Sequence, residues 1–170
     1  MTRRRISRRK AAPLVAVVVA LLVWLARGPL KETFAPGPAG EWRHVERVVD
    51  GDTLVLDGGE RIRLIGVDTP ETVHPSKPLE HYGKEASAFT RRLAEGHRVR
   101  LEFDQELHDR FGRTLAYVYL DDGTFLNAEI IRQGFGHAYT RFPFRHLEEF
   151  RALEREARDA RRGLWADESK

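Results

Sequence analysis

VDGDTLVLDGGERIRLIGVDTPET, residues 49 to 72, carries the local signals on which the reading of the whole chain turns. DTLVLD (52–57) and ERIRLIGV (60–67) are two strand-like runs separated by Gly58-Gly59, a strong hairpin signal. The acids sit at the outer ends. Asp50 and Asp52 open the stretch, Asp68 and Glu71 close it on either side of Pro70, and Arg63 lies between them. A chain that folds back at Gly58-Gly59 brings Asp52 and Asp68 to the same open end of the two strands. Strict alternation from Arg63 would send Asp68 to the opposite face. A bulge at Gly66, or a strand that ends at Val67, would bring it back.

Outward from this hairpin, WRHVERVV (42–49) suits a preceding strand. EHYGKEASAFTRRLAEG (80–96) sets Ala86, Phe89, Leu93 and Ala94 at helical spacing and stops at Gly96. HRVRLEFD (97–104) alternates, with Val99, Leu101 and Phe103 inward and Arg98, Arg100 and Glu102 outward. RTLAYVYL (113–120) is a further strand, whose tyrosines are expected in barrel packing rather than base stacking. LNAEIIRQG (126–134) reads as a short helix. HLEEFRALEREARDARRG (146–163) reads as a helix with Leu147, Phe150, Leu153, Ala157 and Ala160 on one stripe and a Glu154–Arg158 pair on the solvated face. The order β-β-β-α-β-β-α-α predicts an α+β domain: a five-stranded OB-type β-barrel with three helices. Trp42 and Trp165 are expected to anchor its ends, and the histidines to serve surface roles.

The chain has 170 residues, 41% of them hydrophobic and 32% charged, enough for one domain with a single core. It has no cysteine, which excludes disulfides, thiolate metal sites and a cysteine nucleophile. Residues 1–40 hold 8 of the 29 Lys and Arg but only 1 of the 26 Asp and Glu, so the remainder carries a net charge of −4. A polyanion bound by that remainder must be held by a local cluster or a cation, not by a global field. MTRRRISRRK is followed by an apolar run from Ala11 to Ala26. Sixteen residues in a helix span about 24 Å, short of a hydrocarbon core of ~30 Å. The pattern predicts an N-terminal hydrophobic helix, acting as an uncleaved anchor or a cleaved signal, with the N-terminus cytoplasmic and the domain exported. The sequence around Trp24-Leu25-Ala26 is a poor cleavage site and favours the anchor. The expected organisation is a basic flank and signal or anchor over 1–28, a Pro/Gly-rich linker over 29–41 and a folded domain over 42–168.

Asp50-Gly51-Asp52 is not an EF-hand, because Leu54 and Val55 stand where that loop requires Asp or Asn and then Gly. Asp52 and Asp68, with backbone carbonyls nearby, instead form a hard-oxygen set suited to Ca²⁺ or Mg²⁺. Pro70 holds Thr69 extended, so that its carbonyl can face the ion. Glu71, just beyond, is placed to hold a water near it. Phosphodiester hydrolysis needs such a cation, a base for water and guanidiniums for the phosphate, for which Arg63 and Arg113 are the candidates.

VVDGDT, IRLIGVDTPET, HYGKEASAF, DRFGRTLAYVY and LNAEIIRQG occur in this order over Val48 to Trp165 and resemble the staphylococcal nuclease-like (thermonuclease) family. The resemblance implies an OB barrel with three helices and a Ca²⁺-dependent nuclease of DNA and RNA, preferring single strands and leaving 3′-phosphates. It implies Asp52 and Asp68 as calcium carboxylates, with the Thr69 carbonyl beside them. Glu71 would be the general base, and Arg63 and Arg113 the phosphate-binding pair. Lys77 would face the nucleic acid, Tyr139 would lie near the bound nucleotide, and Asp50 would support the metal ligands. Arg141 departs from the family's best-known member, which has a second tyrosine there, and Phe111 replaces an aromatic hydroxyl. The alternative is a catalytically silent OB module that binds single strands, for which loss of Asp52, Glu71 or either arginine would speak; none is lost. A monomer is expected, with the membrane a partner through residues 11–26 if they are uncleaved.

Overall fold

The computed structural model describes residues 40–71 and 81–166. Its elements are β1 (Arg43–Asp50), β2 (Thr53–Leu56), β3 (Arg61–Leu64), β4 (Val67–Asp68), α1 (Gly83–Ala94), β5 (Arg98–Glu102), β6 (Thr114–Leu120), α2 (Leu126–Arg132), β7 (His137–Ala138) and α3 (Leu147–Asp159), followed by a 3₁₀ turn at Gly163–Trp165. The barrel closes in the order β1-β2-β3-β6-β5, and β4 pairs with β7 in a separate two-stranded sheet. The expected five-stranded barrel with three helices is thus observed. The expected N-terminal hydrophobic helix and most of the linker lie outside the described residues. Among the described residues, no helix is long and apolar enough to cross a membrane.

β1 closes the barrel because it pairs on both edges. It runs antiparallel to β2 from Val45 to Asp50, and to β5 at Arg43 and His44. Its register against β2 shifts twice, between Val45 and Arg47 and between Val48 and Asp50, and such irregularities bend and coil a strand. β3 is antiparallel to β2 but parallel to β6, with Arg63 opposite Thr53 on one side and Leu115 on the other. Thr53, Arg63 and the start of β6 are therefore set side by side by backbone pairing alone.

The register conflict at Asp68 is resolved at Gly66. β3 ends at Leu64, Ile65-Gly66 forms a turn with Gly66 at φ +73°, and β4 begins afresh at Val67. Only glycine fits there, since a Cβ would lie 2.7 Å from the Phe144 ring and 2.8 Å from that of Phe150. Asn127 of α2 stitches this turn to β6. Its side-chain amide donates to the carbonyls of Ile65 (2.9 Å) and Ala116 (3.2 Å), and its oxygen accepts the Val118 N–H (2.9 Å).

Several side chains differ from expectation. Phe103 is 44% exposed, because β5 ends at Glu102 and the chain turns away before alternation can carry the ring inward. Tyr117 and Tyr119 are buried, as expected of barrel packing, and so is Val118 between them, the helix α2 packing against β6. Phe125, just before α2, stacks on Tyr119 at 4.6 Å. In α3, Phe150, Leu153 and Ala157 are buried, whereas Ala160 lies past the helix end and is exposed. Glu154 and Arg158 have other partners: Glu154 lies 3.3 Å from His137, and Arg158 covers the Trp165 ring at 4.3 Å. Trp165 is buried, as expected of an anchor.

Candidate active site

Asp52 ends the turn between β1 and β2 and is buried. Its surroundings are built from both ends of the hairpin. Oδ1 accepts the Thr53 hydroxyl at 3.0 Å. Oδ2 accepts the N–H of Thr69 at 3.1 Å, its hydroxyl at 3.2 Å and, at 2.6 Å, Nη1 of Arg63. The same guanidinium reaches Asp68 through Nη2, at 3.4 Å to Oδ1. That geometry explains an arginine between two acids in the sequence: one planar cation bridges carboxylates contributed before β2 and at the end of β4. The largely buried Asp52–Arg63 half of the bridge has high stakes, because removing one partner of a buried pair typically costs about 3–5 kcal/mol.

Backbone packing fixes the acidic turn. The Thr90 hydroxyl of α1 donates to the Gly51 carbonyl at 2.6 Å, and Asp50 accepts the Gly51 N–H at 2.9 Å. A side chain at position 51 would have its Cβ 2.6 Å from Thr69 Oγ1, so the close approach of Thr69 to the turn requires the glycine between the two aspartates. After α2 the chain passes close by as well, though less tightly: a Cβ at Gly136 would lie 3.1 Å from the Asp68 carbonyl oxygen.

Arg113 arrives from the other side, immediately before β6. Asp109 binds it twice, through Nε at 2.7 Å and through the backbone N–H at 2.9 Å, and accepts the Phe111 N–H at 2.9 Å as well. Burial pushes the Asp109 carboxyl up, but the hydrogen bonds from Arg113 and Phe111 outweigh it and hold the group below the ordinary carboxylate range. Nη1 of Arg113 reaches Thr53 Oγ1 at 3.4 Å, and Thr53 binds Asp52. The two arginines are thus tied to one acidic residue, one directly and one through a hydroxyl. Thr53 and Asp109 fall inside the VVDGDT and DRFGRTLAYVY stretches, but neither is singled out there as a site residue. The signal for Asp109 is its spacing, four residues ahead of Arg113 across a Gly112 turn.

Arg63, Asp68, Arg113 and Tyr139 line one cleft of about 600 Å³. Tyr139 is held there by its N–H, which donates to the Gly66 carbonyl at 2.9 Å. Glu71 is exposed, two residues past Thr69, and is not among the cleft's lining residues. Asp50 accepts the Gly51 N–H and so fastens the turn itself. Lys77 lies outside the described residues.

The donors near Arg63 are oxygens throughout: two carboxylates, hydroxyls and backbone carbonyls. No three His, Asp or Glu side chains converge among the described residues. A cation held by Asp52 and Asp68 would fill its shell with carbonyl oxygen and water, as hard cations do. The residues therefore fit Ca²⁺ or Mg²⁺ by donor type, with Arg63 already showing that this pair of carboxylates accepts a shared positive charge.

A family match and several similar relatives bear on this arrangement. The family described as "Staphylococcal nuclease homologue" matches residues 61–167. A thermonuclease of Staphylococcus intermedius is 46% identical over 128 residues, 73% of this chain and 75% of that protein. A thermonuclease of Staphylococcus hyicus is 37% identical over 163 residues, covering 91% and 96%. Endonuclease YncB of Bacillus subtilis is 34% identical over 128 residues, 72% of this chain and 60% of its own length.

Proposed function

The chain belongs to the staphylococcal nuclease family and is a nuclease that hydrolyses phosphodiester bonds; on that premise we propose that it depends on calcium, cuts DNA and RNA with a preference for single strands, and leaves 3′-phosphate ends. The observation that carries the reading is the Arg63 bridge. A guanidinium in contact with two carboxylates, beside a second tethered guanidinium, has the composition that phosphate hydrolysis requires.

In this reading Asp52, Asp68 and the Thr69 carbonyl hold the calcium, which when bound supplies charge neutralisation at a non-bridging phosphate oxygen. Arg63 and Arg113 bind the phosphate and stabilise charge that grows on its oxygens as the bond breaks. A planar fork suits that task better than a point charge. Glu71, exposed at the end of the Thr69-Pro70 segment, orients and deprotonates the attacking water. Asp50 braces the acidic turn, Tyr139 lies against the nucleotide, and Lys77 faces the nucleic acid. The domain acts as a monomer outside the cytoplasm, anchored through residues 11–26 or secreted after their removal.

The test is turnover of denatured DNA and of RNA by residues 41–170, with calcium, with magnesium or with EDTA. Calcium should support activity and magnesium should do so poorly; full activity in EDTA would sink the metal assignment. Glu71→Gln should bind nucleotide normally while losing on the order of 10²–10⁴-fold in turnover, the usual contribution of a positioned base. Wild-type turnover in that variant would remove Glu71 from the reaction.

A further inference from the structure

Among the described residues, the large apolar side chains that stand exposed are Phe103, Leu107, Phe111 and Phe142. They are not scattered. Phe103, Leu107 and Phe111 belong to the segment between β5 and β6, Phe142 to the segment between β7 and α3, and Phe111 and Phe142 line the cleft that holds Arg63 and Arg113.

Phe142 is the less expected of these two. It is 63% exposed, yet its segment is fastened on both sides. Upstream, the Tyr139 N–H is bonded to the Gly66 carbonyl. Downstream, the Phe144 ring packs 5.4 Å from that of Phe150 and over Gly66, and the Arg145 N–H donates to Asp104 at 2.8 Å. Arg145 also pairs with Glu102, and Pro143 limits the backbone between the two phenylalanines. The phenyl ring is therefore presented to water by a fixed frame, 6.1 Å from the Tyr139 ring and tilted by 46° to it. Arg141, between them in sequence, lies 6.0 Å over the Tyr139 ring.

The chemistry around the ring selects the occupant. Arg63, Arg110, Arg113 and Arg141 line the same cleft, which calls for a polyanion. Several of its acids are already engaged: Asp68 by Arg63, Asp109 by Arg113, and Asp104 by the Tyr117 hydroxyl and the Arg145 N–H. A polyanion that also offers flat apolar faces is a nucleic-acid strand. A paired and stacked base has both faces covered by its neighbours, so a lone ring on a cleft wall can be met only by an unpaired one.

We propose that Phe142 is a stacking platform for one unpaired nucleobase, that of the nucleotide adjoining the one whose phosphate meets Arg63 and Arg113, with Arg141 beside the connecting backbone. The assignment rests on the nuclease reading of the cleft. It gives this chain a second base position beyond Tyr139, tolerant of sequence because every base has a π face.

Steady-state kinetics of the full chain in calcium separate the possibilities. Two substrates are compared: a short single-stranded oligonucleotide carrying 2-aminopurine, and a nucleoside p-nitrophenyl phosphate, which has one base only. Phe142→Ala should raise KM for the oligonucleotide by about 5- to 150-fold, the range for losing one base stack, while kcat changes little. KM for the single-base ester should stay as in the wild type. Phe142→Trp should restore oligonucleotide KM and the quenching of 2-aminopurine on binding. Equal effects on both substrates, or none on the oligonucleotide, would overturn the platform. Wild-type protein that turned over neither substrate would overturn the nuclease reading of the cleft and the platform with it.

Discussion

Arg63 and Arg113 reach Asp52 by unlike routes, and the difference bears on how each tolerates substitution. Arg63 binds it directly and spans to Asp68 with its other nitrogen, so both arms of the fork are used. Arg113 is clasped through Nε and backbone N–H by Asp109, leaving Nη1 directed at Thr53. Lysine keeps the charge but has no fork, so Arg63→Lys and Arg113→Lys should each lower kcat by about 10²-fold, the effect of an approximately 1 Å misplacement of a reacting group. Near-normal rates in both would show that charge alone suffices. Asp109→Ala should lower kcat with little change in calcium affinity, because it frees Arg113 without touching Asp52 or Asp68. Its pH behaviour follows from the depressed carboxyl. The clasp stabilises the folded loop fully above the ordinary Asp pKa, and that stability is lost as pH falls through the lower folded value. Acid titration of the wild-type loop, followed by NMR of the Arg113 Nε–H, should show the bond surviving below the ordinary aspartate pKa of 3.8. Loss of that signal well above it would contradict the clasp.

At the scale of elements, the two-residue strand β4 and the turn before it do what the hairpin alone cannot. Alternation along a continuous β3 would point Asp68 away from Arg63; breaking the strand at Gly66 resets the direction. Gly66→Ala should therefore destabilise by about 2–5 kcal/mol, from left-handed backbone strain plus overpacking against Phe144 and Phe150. Gly58→Ala supplies the contrast in urea melts. Gly58 has a comparable φ of +89° but nothing within 4 Å of a Cβ, so only the strain should register, about 1 kcal/mol. Equal losses would mean the Phe144 contact is not limiting. The same elements show what is legible from sequence. The hairpin, α1, β6 and α2 announce themselves by turn glycines and periodicity, which are local signals. The Asp52–Arg63–Asp68 knot is legible because a hairpin converts sequence distance into proximity. Phe142 is not, because its place beside the arginines comes from segments distant in sequence. The contacts of Thr53 with Asp52 and of Asp109 with Arg113 are local, and gain their meaning only when Arg113 reaches Thr53 across the fold. Phe103 misleads for the related reason that alternation does not state where a strand ends.

Across the whole chain, charge is divided rather than balanced. Residues 1–40 carry 8 basic and 1 acidic side chains, the remainder 21 and 25. The acidic remainder holds the barrel and every site residue named above, beginning at Asp50. Its net charge repels a polyanion, so binding must come from the local arginines and the bound cation, and affinity for DNA should fall sharply when calcium is chelated at low salt. Every site residue named above lies beyond the basic flank and the apolar run, which should therefore decide only where the domain works. Deleting residues 1–40 is therefore expected to leave a soluble enzyme with full kcat, read in the calcium assay. In the cell, protease added outside intact cells or spheroplasts should degrade the domain, while a cytoplasmic control survives. Protection of the domain, when an exported control is cut, would reverse the topology. An insoluble or inactive truncation would instead show that the fold draws on residues before Glu41, since among the described residues the barrel closes through β1 and β5 at Arg43 and His44.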